Sequence, residues 1–97
     1  MNLSKALSPL CRSAATSYSG SMAPEALLTF LMTGAVDADV GVLLRYAIEE
    51  LPAPLWAKAL ADYDLNLRAS MMKHIADYAV TQRLYLTPEM REWLSVE

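Results

Sequence analysis

The chain contains few of the residues that form β-strands. Val and Ile together occupy seven of the 97 positions, whereas Leu, Ala and Met occupy 37. Because β-branched side chains favour strands and unbranched ones lose little rotamer freedom in a helix, this composition argues against a β-rich fold. We therefore predict an all-α fold: one small domain over residues 1–97, built as an irregular bundle of five or six short helices. Residues 1–21 are expected to be partly flexible.

Cysteine and histidine are each present once, as Cys11 and His74. One cysteine excludes an internal disulfide and is typical of a reducing, cytoplasmic location. A zinc site needs three or four ligands, and a nucleophilic cysteine needs a base close in space, so neither metal chemistry nor thiol catalysis is expected. We interpret Cys11 as a small apolar filler and His74, three residues before Asp77, as a half-buried residue at the edge of the core. No catalytic residue, cofactor or metal is predicted.

Positive charge and long apolar runs are also scarce. The chain has eight basic and eleven acidic residues, which gives a net charge of −3. No stretch approaches the ~20 apolar residues of a membrane span. Residues 24–51 have the helix–turn–helix spacing of a DNA-binding motif. DNA binding through them is not expected, because Asp37 and Asp39 lie at the start of the second helix, where the DNA phosphates would repel them. The mildly basic Arg68, Lys73 and Arg83 leave one alternative open: a nucleic-acid-associated transcriptional regulator that acts as a dimer.

Proline, glycine and capping residues divide the chain into helices. Ser8 before Pro9 predicts the start of a first helix, with a stop at Gly20, and Pro24-Glu25 predicts a second that ends at Gly34. Three further signals follow the same logic: Asp37 as a cap, Pro52 and Pro54 between two helices, and Thr87-Pro88-Glu89 before a short final helix. We also expect a break near residues 62–66, capped by Asp62 or Asp64. The stretch 67–84 is predicted to be the strongest helix.

The hydrophobic fraction of 55% is high for so small a chain, and the surplus predicts an apolar surface for a homodimer contact or a docked partner. Large amphipathic rings dominate binding energies, and Met72 falls off the apolar stripe of its helix. We therefore expect a small non-enzymatic protein-binding module, a regulator, adaptor or inhibitor that occludes the surface of a larger protein. Its size class is common among accessory proteins of phages and mobile elements. The expected contact residues are Trp93, Met72, Trp56, Glu49 and Glu50.

Overall fold

The described part of the chain folds into a short 3-10 helix followed by six α-helices. A computed structural model describes residues 3–17 and 20–96, and no strand occurs among them. The all-α prediction is therefore confirmed. Flexibility was expected for residues 1–21, and residues 1, 2, 18 and 19 of that range lie outside the described residues. The elements are the 3-10 helix Leu3–Leu7, α1 Ser8–Ser17, α2 Pro24–Thr33, α3 Ala38–Glu50, α4 Ala53–Leu60, α5 Leu65–Thr81 and α6 Pro88–Leu94.

Most of the helix boundaries follow local sequence signals. Gly34 ends α2 with a φ of 79°, a left-handed conformation that glycine adopts without steric cost, and its N–H bonds the Phe30 carbonyl at 2.7 Å. The predicted break between α4 and α5 is confirmed, because the Asp64 side chain caps α5 by accepting from the Asn66 N–H at 3.2 Å. Thr87 caps α6 in the same way, through the Met90 N–H at 3.1 Å.

Helix α1 begins at Ser8, where the sequence predicts a helix start, but the predicted role of Ser8 as a cap is wrong. Ser8 is the first residue of α1 and continues directly from the 3-10 helix, so it does not cap a new helix. Pro9 is tolerated there because the first turn of a helix needs no donor from its N–H groups. Leu7 and Leu10 are fully buried on both sides of this junction, and their burial favours continuous helical backbone. Tyr18, which precedes the predicted stop at Gly20, lies outside the described residues.

Helix α5 ends three residues earlier than the apolar pattern predicts. The Leu84 N–H bonds the Ala79 carbonyl and the Arg83 N–H bonds the Val80 carbonyl, which is the hydrogen-bond pattern of a Schellman motif. Arg83 occupies the left-handed position of this motif with a φ of 56°. Because glycine is the usual residue there, the sequence carries no local signal for the stop, and the backbone turns away from the helix before Tyr85.

The core lies where α2 packs against α5 and the 3-10 helix, while α1 packs against α3 and α4. Phe30 of α2 and Tyr78 of α5 meet edge to face, with ring centroids 5.3 Å apart. The remaining helix, α6, closes the bundle, since it contacts both α4 and α5. One buried cluster therefore unites the described helices, and burial of its Leu, Met and aromatic side chains is the main stabilising term.

Candidate protein-binding surface

Trp56 is not a surface residue, and its prediction as a contact residue is wrong. Its side chain has 0% exposure, and its indole N–H donates to the Ala47 carbonyl at 2.9 Å. A buried indole normally finds such a partner, and this bond ties α4 to α3. The helical spacing that places Trp56 on an apolar stripe is the spacing of a core residue.

The other four predicted contact residues are distributed over three helices. Met72 on α5 and Trp93 on α6 are half-buried and pack against the core. No hydrogen bond or ring contact within the described residues joins either of them to Glu49 or Glu50, which are consecutive residues at the end of α3. Met72 is therefore less exposed than its position off the apolar stripe suggested.

Glu49 connects two segments that are distant in sequence. One carboxylate oxygen accepts from the Arg45 Nε–H at 3.1 Å, and the other accepts from the backbone N–H of Tyr85 at 2.8 Å. The bond from Tyr85, assisted by that from Arg45, lowers the pKa of the Glu49 carboxyl below its ordinary value of 4.5. Glu49 therefore stays ionised near neutral pH and holds the segment after α5 against the end of α3.

Tyr85 is fixed at its backbone and exposed at its ring. The flanking Leu84 is half-buried and Leu86 is buried, so the side chain between them points outward from this extended segment. The Tyr85 side chain is 61% exposed. Its backbone is held on one side by the Schellman motif and at its own N–H by Glu49. The result is a large aromatic ring presented to solvent from an ordered backbone.

The outward face of α3 includes Glu49, which bonds the Tyr85 backbone, and it extends the exposed surface along the helix. Positions 42, 45, 46 and 49 share one side of a helix by their spacing, and the buried residues of α3 occupy the opposite side. Val42 is 58% exposed, and Tyr46 is half-buried with its ring against the core. We call this surface the tyrosine patch; it consists of Val42, Arg45, Tyr46, Glu49 and Tyr85.

Unpaired carboxylates flank the tyrosine patch. Asp39 and Glu50 are exposed, and neither forms an ion pair within the described part of the chain. Arg45 is the one basic residue of α3, and its guanidinium is engaged by Glu49. The α3 side of the patch therefore carries a net negative charge around Val42 and the two tyrosines.

Sequence reasoning selected Glu49 and Glu50, considered Tyr85 among the large amphipathic rings without selecting it, and missed Val42. The Tyr85 backbone bonds Glu49, which is 36 residues away in sequence, and no local sequence pattern predicts that contact. Val42 is a lone exposed apolar residue on a half-buried helix, and such residues are common on any protein surface. The nearest local signal is the i, i+4 spacing of Arg45 and Glu49, which is the spacing of their ion pair.

The groups that could have carried chemistry serve structural roles. His74 is half-buried, and its Nδ1 donates to the Leu31 carbonyl at 2.6 Å, satisfying one of the free carbonyls at the end of α2. Asp77 pairs with Lys73 at 3.0 Å and does not orient His74. Cys11 is buried, and this burial, together with the nearby Glu25 charge, raises its pKa from 9.0 to about 11. Among residues 3–17 and 20–96, no three His, Cys, Asp or Glu side chains cluster as metal ligands.

The basic residues of the nucleic-acid alternative are spread along α5 and past its end. Arg68 is half-buried, Lys73 is paired with Asp77, and Arg83 is exposed in the Schellman motif. No contact within the described chain gathers them into one stripe.

No single helix among the described residues has the length and apolar character that a membrane crossing requires. Helices α2 and α3 reach that length and composition only when taken together, and they are bent by 82° relative to each other. Comparison with protein-family models, with curated protein sequences and with solved structures found no match to this chain.

Proposed function

We propose that this protein is a non-enzymatic binding module that regulates or inhibits a larger protein by covering part of its surface with the tyrosine patch. The observation that supports this proposal is the Tyr85 ring, which is largely exposed although its backbone is held by Glu49 and by the Schellman motif. Burying a large aromatic ring would stabilise a small core, yet the Tyr85 ring stays outside the core.

An aromatic ring on an ordered backbone is an efficient contact residue. Binding costs conformational entropy wherever loops and side chains must be ordered, so an anchor that is already positioned gives up less on association. Tyrosine and arginine are enriched among the residues that dominate interface energies, and the tyrosine patch contains Arg45, Tyr46 and Tyr85. Val42 adds apolar area beside them.

The charges around the patch indicate the charge that the partner's surface should carry. Asp39 and Glu50 are unpaired within the described residues and would meet Lys or Arg side chains at the rim of an interface. The partner is therefore a protein surface with an apolar centre and a basic rim. A twofold dimer through the same patch would bring these carboxylates from two copies into one interface, where they repel, so a different protein is the favoured occupant.

Site-specific photo-crosslinking in the native host tests this proposal. A Val42→p-benzoylphenylalanine variant carries the probe in the patch, and a Leu65→p-benzoylphenylalanine variant is the matched control, because Leu65 is 68% exposed at the start of α5 and is not part of the patch. We expect an adduct with one basic protein at position 42 that survives nuclease treatment and is absent at position 65.

Four outcomes would overturn the proposal. They are the absence of any adduct at position 42, equal adducts at both positions, an adduct between two copies of this chain, and an adduct that disappears with nuclease. The third would establish the homodimer, and the fourth would favour the nucleic-acid alternative.

A further inference from the structure

A groove runs between the N-terminal segment and α4. It has a volume of about 680 Å³, and its walls come from the 3-10 helix, the start of α1 and the length of α4 with the residues that follow it. Small-molecule sites in proteins typically have volumes of ~300–1,000 Å³ and are mostly apolar with a few placed polar groups. The groove shares no residue with the tyrosine patch.

The walls of the groove are apolar and are tied together at one end. Leu3 and Ala6 lie on one side, and Leu55 and Ala59 lie on the other. Tyr63 belongs to both sides, because its buried ring lines the groove and its hydroxyl donates a hydrogen bond to the Leu3 carbonyl. Burial raises the pKa of this hydroxyl, so it stays neutral at physiological pH. This hydrogen bond joins the two walls at one end of the groove.

The net charge of the groove is positive, whereas the net charge of the protein is negative. Lys5 and Lys58 line it from opposite walls, and Asp62 is the acid among the lining residues. All three are exposed, and none forms an ion pair within the described residues. The chain has a net charge of −3, whereas the groove has one more cation than anions. Two unpaired ammonium groups above an apolar floor are complementary to a molecule with an apolar body and an anionic end.

We propose that this groove binds a small amphiphilic carboxylate, a fatty acid or a compound of the same chemistry, with its hydrocarbon chain against Leu3, Leu55 and Ala59 and its carboxylate between Lys5 and Lys58. A helix about 10 Å across fills roughly 400 Å³ per turn, so the groove accommodates fewer than two turns and is too small for a docked protein helix. An apolar ligand without charge would leave the two lysines unused. The proposal does not depend on the tyrosine patch or on its partner.

Calorimetric titration of the full chain with dodecanoate, kept below the concentration at which it self-associates, tests the proposal. We expect one molecule bound per chain and at least about tenfold weaker binding of neutral methyl dodecanoate, because the ester loses both charge pairs. The Lys5→Met/Lys58→Met double variant removes the two charges and keeps the side-chain length. It should weaken dodecanoate binding by about tenfold, whereas Lys73→Met on α5, outside the groove, is the matched control and should bind as the wild type does.

Asp62→Asn provides a test with the opposite sign. It removes the one acid of the groove and should tighten dodecanoate binding by about threefold without changing the affinity for the methyl ester. The proposal is overturned if wild-type protein binds no dodecanoate, if it takes up many molecules per chain, if the ester binds equally well, or if Lys73→Met weakens binding as much as the double variant.

Discussion

Replacing Trp56 with phenylalanine tests whether this residue holds the core together. The side chain is fully buried, and its indole N–H bonds the Ala47 carbonyl, which also accepts the Leu51 N–H at 3.3 Å. Losing one buried hydrogen bond costs about 1 kcal/mol, and the carbonyl keeps its second partner, so no further penalty for an orphaned group applies. The smaller ring leaves an unfilled volume that costs roughly another 1 kcal/mol. We therefore expect Trp56→Phe to lower the free energy of unfolding by about 2 kcal/mol.

Urea unfolding followed by circular dichroism measures this loss, and Trp93→Phe is the matched control. Trp93 is half-buried and makes no hydrogen bond within the described residues, so its replacement should cost less than about 1 kcal/mol. In a chain of this size, a loss of 2 kcal/mol lowers Tm by roughly 10 °C. The Trp93→Phe variant also leaves Trp56 as the sole fluorophore, and its emission should resist iodide quenching. The reasoning is refuted if Trp56→Phe unfolds within about 0.5 kcal/mol of wild type, or if iodide quenches Trp56 freely.

Three further predictions concern separate parts of the fold. Gly34→Ala places a side chain at a φ of 79° and should cost about 1–2 kcal/mol in urea unfolding. Gly41→Ala in α3, whose new methyl group would make ordinary contacts with Tyr78 and Val36, should instead stabilise by up to about 1 kcal/mol. Equal effects of the two variants would contradict the left-handed cap. The Glu49 pKa is lower in the folded state, so the contribution of its carboxylate to the free energy of unfolding is present above pH 4.5 and is lost as the pH falls through the folded pKa. Glu49→Gln should therefore cost about 1 kcal/mol at pH 7 and flatten the loss of stability in acid. An unchanged dependence of stability on acid pH would argue against the Tyr85 bond. Cys11, with a pKa of about 11, should react with a thiol reagent at pH 8 far more slowly in the folded protein than in urea, and equal rates would place it at the surface.

Local chemistry allowed the helix boundaries to be predicted. Gly34, Asp64 and Thr87 each act within three or four residues of their own position, through a left-handed backbone or a side-chain cap, so their effect is visible in sequence order. The end of α5 was missed because Arg83 adopts the conformation that glycine usually adopts. The start of α1 at Ser8 was predicted, but the 3-10 helix that leads into it was not, because Ser8 and Pro9 are typical of a new helix start.

The candidate surface depended on contacts that sequence order does not reveal. Periodicity shows that a helix has an apolar side, but it does not show which large side chains that side buries, and Trp56 illustrates the error. Glu49 was identified as an acidic contact residue, yet its more informative bond is to the Tyr85 backbone, 36 residues away. A turn without a glycine signal brings Tyr85 to that place, so only the folded structure could bring the two together.

The proposed docking through the tyrosine patch is tested most directly by measuring the affinity of the protein that crosslinks at position 42. Calorimetric titration would compare wild type with Tyr85→Ser in the patch and Leu65→Ser outside it. We expect Tyr85→Ser to weaken binding about 30-fold or more, which corresponds to about 2 kcal/mol for a central aromatic anchor, and Leu65→Ser to change it by less than about twofold. Equal affinities of the wild type and Tyr85→Ser would contradict the proposed function.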